Sequence, residues 1–101
     1  MALQNNFYKI NSSQNLAATT TSGATRSTAV PADVTLARIS SSALVYVACI
    51  AGQGATPTAT VAAGVQIDVS APEIFVVRPA DTIAAITASG TATVNVTFLE
   101  G

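Results

Sequence analysis

Residues 82–100 read TIAAITASGTATVNVTFLE, and this stretch decides the fold. Ala92, Val94, Val96 and Phe98 fall on one side; Thr91, Thr93, Asn95 and Thr97 fall on the other. A period of two belongs to a strand with one buried and one polar face. The preceding TIAAITA also reads as a strand, and Ser89-Gly90 between the two carries a turn signal. The pair is predicted to form a β-hairpin, half buried and half polar. It contains no His, Cys, Lys or Arg, so it reads as scaffold.

Upstream, the same grammar recurs. Pro79-Ala80-Asp81 reads as a turn, because proline presets its backbone and Asp accepts local hydrogen bonds. EIFVVRP (73–79) is a strand with Phe75 and Val77 opposite Ile74 and Val76. VQIDVS (65–70) alternates, with Val65, Ile67 and Val69 inward. TATVAAG (58–64) reads as a short strand ending at Gly64, and GQGATPT (52–58) as a loop. VTLARIS (34–40) is a strand broken off at Ser40-Ser41-Ser42. ALVYVACIA (43–51) is apolar on both faces, so both must be covered. The domain core covers one; a neighbouring chain, a loop or the N-terminal segment must cover the other. Cys49, within this run, reads as a small buried hydrophobe.

Turn signals recur about every 8–12 residues, and no segment has a capped 3.6-residue period. The fold is therefore expected to be all-β, an antiparallel β-sandwich or a jelly-roll-like barrel, with an extended N-terminal arm. Residues 34–101 form its core. Residues 1–33, rich in Ser, Thr and Ala, bury little area for the entropy of fixing them. They read as an arm or as loosely held edge strands. Two true strands, over 15–20 and 24–30, are the other reading.

Half of the 101 residues are hydrophobic, yet only 9% are charged, against about 25% in ordinary soluble domains. Such a surface is covered by small polar groups or hidden against other chains. Lys9, Arg26, Arg38 and Arg78 are scattered, and the net charge is −1, so no cationic patch exists to displace counterions from nucleic acid. The longest apolar run, Ala43 to Ala51, is far short of the ~20 residues of a membrane helix. MALQNNFYKINSS lacks the pattern of a signal peptide. Neither nucleic acid nor membrane is expected as a partner, and the chain is expected to be made in the cytosol and not exported by that route.

Catalysis lacks its usual parts. There is no histidine, the commonest general base, and the abundant hydroxyls have no activating base beside them. Asp68 and Glu73 read as solvent-facing charges beside a proline turn. No loop clusters three acidic residues for calcium. No catalytic residue, cofactor or metal is expected. The residues singled out are those suited to an interface. Phe7, Tyr8 and Ile10 read as apolar anchors on the N-terminal segment or as part of a first strand of the same core. Arg38 and Arg78, in or at the end of apolar strands, read either as side chains whose stems cover apolar surface while their heads reach water or as partners in inter-subunit ion pairs with Asp68, Asp81 or Glu100.

Three pieces taken in order, LARISSSALVYVACI, DVSAPEIFVVRPADTIAAI and SGTATVNVTFLE, resemble small β-rich virion proteins of tailed bacteriophages, of the capsid-decoration (cement) type. Pro72-Glu73, Phe75, Val77, Pro79, Asp81, Ile83, Ser89-Gly90-Thr91, Asn95-Val96-Thr97 and Leu99-Glu100 carry the likeness. It covers the last two-thirds of the chain. The resemblance implies a structural subunit on the capsid surface of the virion, bound to the major capsid protein or other virion proteins. It also implies a homo-oligomer, with a trimer favoured, and no catalytic residues. A head–tail neck or tail component, and a carbohydrate-binding or adhesion module, are the alternatives of similar composition.

Overall fold

The computed structural model describes residues 9–20, 26–51 and 59–100. The elements are β1 (Lys9–Ala18), β2 (Leu36–Ser41), β3 (Val45–Ile50), β4 (Val65–Ile67), β5 (Glu73–Val76), β6 (Thr82–Ile86) and β7 (Ala92–Glu100), with no helix among the described residues. Two antiparallel sheets pack face to face. One has the order β1-β7-β2-β5 and the other β4-β3-β6.

Residues 26–30 extend the smaller sheet along β6. Arg26 bridges Ala84, the Ser27 N–H donates to Ile83 O at 2.8 Å, and the Val30 N–H donates to Asp81 O at 2.8 Å. Where the ladder loosens, the Ser27 hydroxyl accepts the Ile83 N–H at 2.9 Å. With this segment included, the chain enters the two sheets in the winding of a jelly roll. The all-β sandwich expectation holds. An extended arm does not describe residues 9–18, which are the outer strand of the larger sheet; residues 1–8 lie outside the described residues. Gln14 ties this strand to the 26–30 segment. Its Nε2 donates to Thr28 Oγ1 at 3.0 Å and its Oε1 accepts the Thr28 N–H at 2.9 Å.

The expected hairpin is not formed. β6 pairs with β3, and β7 pairs with β1 and β2 in the opposite sheet. The reason lies in TIAAI, which is buried at every position. A strand with no polar face cannot sit beside β7, whose outer face meets water. In the smaller sheet both faces of β6 are covered. Ile83 and Ala85 face the main core, and Ala84 and Ile86 join a second cluster with Ile50 and Ala59. Tyr46 and Ala48 pack on that cluster. A loop residue, Ala59, thus contributes to covering the second apolar face of β3.

Two further expectations are corrected. The strand read in TATVAAG is a turn over 61–64. The Thr60 hydroxyl accepts the Ala63 N–H at 3.1 Å, and the Gly64 N–H donates to Thr60 O at 2.7 Å. Such local bonds from threonine compete with a ladder. Gly64 is required there because a Cβ would stand 2.8 Å from Tyr46 Cβ. In VQIDVS only residues 65–67 are strand, and of the three inward candidates only Ile67 is buried; Val65 and Val69 are exposed.

The turn at Pro79-Ala80 is as read. The Asp81 N–H donates to Arg78 O at 3.1 Å, and Asp81 Oδ2 accepts the Arg78 N–H at 3.1 Å. Ala80 has φ +74°, the left-handed value that the third residue of a type II turn demands and that favours glycine. Ala80→Gly is expected to stabilise the fold by about 0.5–1 kcal/mol, relief of strain exceeding the added chain entropy. The urea midpoint should rise with an unchanged slope.

Candidate functional site

The outer face of the larger sheet follows from its register. Ile10 pairs with Leu99, Leu99 with Leu36, and Leu36 with Val76. Cross-strand partners share a face. These four side chains therefore form one apolar row that crosses all four strands on the face turned away from the core. Ile10 is 66% exposed and Val76 80%. The next row is Ser13, Thr97, Arg38 and Ile74, with Ile74 also exposed.

Beyond these rows the face turns polar without becoming charged. Asn95 Nδ2 donates to Ser13 Oγ at 2.9 Å and to Asn15 Oδ1 at 3.0 Å, and the Thr97 hydroxyl donates to Asn95 Oδ1 at 2.8 Å. The ladder satisfies its own hydrogen bonds. Its threonines and asparagines thus hold a flat surface with little demand for water.

The interface residues read from sequence are placed as follows. Ile10 and Arg38 share this face, on β1 and β2 with β7 between them. Arg78 is exposed just past the end of β5. Phe7 and Tyr8 lie outside the described residues. Of the carboxylates considered for ion pairing, Asp81 is buried and committed to its own turn, so it is not a surface partner. Glu100 accepts from Asn11 Nδ2 at 2.9 Å, and Asp68 from Gln66 Nε2 at 3.0 Å. Leu36, Leu99, Ile74 and Val76 were not singled out from sequence. The signal for the last two was present, since EIFVV is apolar on both sides.

At the flank formed by β4 and β5, the two sheets leave an apolar cleft of about 130 Å³, lined by Ile39, Val47, Val65, Phe75, Val76 and Ile83. Cys49 also lines it, and the residue is exposed, not buried as read from sequence. It pairs with Ile83 on one side, but β4 reaches only as far as Val47, so β4 does not cover it. Its thiol donates to Asp81 Oδ2 at 3.4 Å. Partial burial, that hydrogen bond and the Asp81 charge push the thiol pKa up to about 11 from 9.0. The sulfur is thus held as the protonated thiol. Alkylation by iodoacetamide at pH 8 is expected to run on the order of 100-fold slower than for a free cysteine, since only thiolate reacts. The sign of the linkage follows. The native state holds this proton more tightly, so its contribution to stability is complete below pH 9 and is lost as pH rises through about 11. No group of three His, Cys, Asp or Glu able to hold a metal occurs among the described residues.

The chain was compared with protein-family models, with curated proteins and with solved structures, and nothing matches it in any of the three. The fold and surface define its class: an all-β sandwich whose distinctive surface is a low-charge sheet face bearing an apolar row.

Proposed function

We infer that this chain is a non-enzymatic structural protein of a phage particle, of the capsid-decoration type, which binds the outside of the head and stabilises it. The observation that carries this reading is the row Ile10–Leu99–Leu36–Val76 on the outer sheet face. Its two ends, Ile10 and Val76, are exposed, with Leu99 buried and Leu36 half-buried between them, and exposed apolar side chains on a sheet face of low charge mark a protein contact. The scarcity of charge supports the same reading, because few ions need desolvating when the face is covered. The jelly-roll winding is one that capsid proteins use, which is support by analogy of fold. Arg38, beside Ile74 on this face, supplies a fork for a carboxylate or carbonyl of the shell protein. A place at the head–tail neck is the nearest alternative and would use the same face.

The test is rebinding. Heads are prepared from the phage that encodes the chain, with its gene deleted, and mixed with the purified protein. Co-sedimentation with the heads is expected for the native chain. With Ile10→Lys, whose side chain is exposed and whose fold should be unchanged, affinity is expected to fall about tenfold or more. Failure of the native protein to bind the heads, or its absence from complete particles by mass spectrometry, would remove the proposal.

A further inference from the structure

The flank of the sandwich at β4 and β5 gathers most of the exposed large apolar side chains: Val65, Val69, Ile74 and Val76. Among the described residues β5 has a ladder partner on one side only, β2. The Val77 N–H donates to Thr35 O at 2.9 Å. In a strand the backbone groups of successive residues point to alternate sides. Glu73, Phe75 and Val77 therefore turn theirs to β2, and Ile74 and Val76 turn theirs to the open edge. Sheets commonly protect such an edge with a charge or proline in its middle. Here the middle is Ile-Phe-Val, and the charges stand at its two ends, Glu73 and Arg78.

We propose that this edge takes a second copy of the same chain, β5 against β5 in antiparallel register about a two-fold axis through Phe75. That arrangement pairs the outward backbone groups of both Ile74 and Val76. Ile74 of each copy faces Val76 of the partner subunit, each pair exchanging both N–H···O=C bonds. The two Phe75 rings meet as a cross-strand pair on the cleft side, where each already lines its cavity. Glu73 comes to rest opposite Val77 of the partner subunit, so the charges of both copies stand outside the apolar centre of the pairing. A parallel alignment would place like charges together and could not close as a dimer. A register shifted by two residues, centred on Val76, would call on the Arg78 N–H, which is already donated to Asp81. In the two-fold register Val76 of one copy stands beside Ile74 of the other, so the apolar row of each copy is lengthened by one apolar side chain from its partner. The pairing stands on the geometry of this flank alone and does not depend on the capsid reading.

Sedimentation velocity over a concentration series tests it, joined to hydrogen exchange. The native chain is expected to show a monomer–dimer equilibrium reaching dimer by about 0.5 mM, as fits an interface at the small end of the range. The Ile74 and Val76 amides should gain protection as concentration rises. Val76→Lys, at a site 80% exposed, should keep the circular dichroism and melting of the native fold and weaken the dimer about tenfold or more. A native chain that stays monomeric throughout, a closed trimer, undiminished dimerisation of Val76→Lys, or unprotected Ile74 and Val76 amides in the dimer would each overturn the proposal.

Discussion

A chain shortened to begin at Val34 is expected not to fold. The Ser/Thr/Ala-rich opening looks dispensable in sequence, yet β1 covers β7 from Lys9 opposite Glu100 to Ala18 opposite Ala92. It delivers Leu16 and Ala18 to the main core, and the 26–30 segment delivers Val30. Burial of each large apolar side chain contributes about 1.5–3 kcal/mol, and each ladder hydrogen bond about 0.5–1.5 kcal/mol net. The summed loss rivals the whole stability of a domain, about 5–15 kcal/mol. The deletion would also strip β7 in one sheet and β6 in the other, leaving two long apolar edges open to aggregation. Far-UV circular dichroism and a thermal melt check this. A cooperative melt with native strand content in the shortened chain would show that the first 33 residues are an appendage after all.

The second large effect is expected at Phe98. It is fully buried and heads the fully buried side chains by size. It sits in β7, opposite Ser12 of β1 on one side and Ala37 of β2 on the other. β7 and β2 are each paired on both sides, so the surroundings cannot collapse fully into the space a truncation leaves. Phe98→Ala should cost about 3–5 kcal/mol, seen as a lower urea midpoint at similar slope. Val76→Ala, on the same sheet but at its exposed edge, should stay within about 0.5 kcal/mol. If the two variants melted alike, the assignment of inner and outer faces would be wrong.

That contrast locates what the candidate surface owes to each level of description. The scarcity of charge could be read directly, and Ile10, Arg38 and Arg78 could be picked as candidates for an interface; all three are exposed. The apolar row could not. Ile10, Leu36, Val76 and Leu99 are spread over most of the chain, and only the register of four strands lines them up. The same holds for Cys49. Its apolar neighbours imply burial, but the short reach of β4 leaves it exposed.

By itself the sequence determined that the chain is built of strands, where many of them turn, and which face of β7 is buried. Ala92, Val94, Val96 and Phe98 are all buried as their spacing implies. The turn at Pro79-Ala80 was equally local, written in a proline and in an aspartate that bonds Arg78, three residues back. The tertiary structure alone decided who stands beside whom: β6 with β3 and not with β7, β1 against β7, and Ala59 over the back of β3. The physical reason is that alternation reports the two faces of a strand and is silent about its two edges. Edge partners are selected by the joint requirement that every apolar face be covered and every ladder be filled, a condition on the whole chain at once.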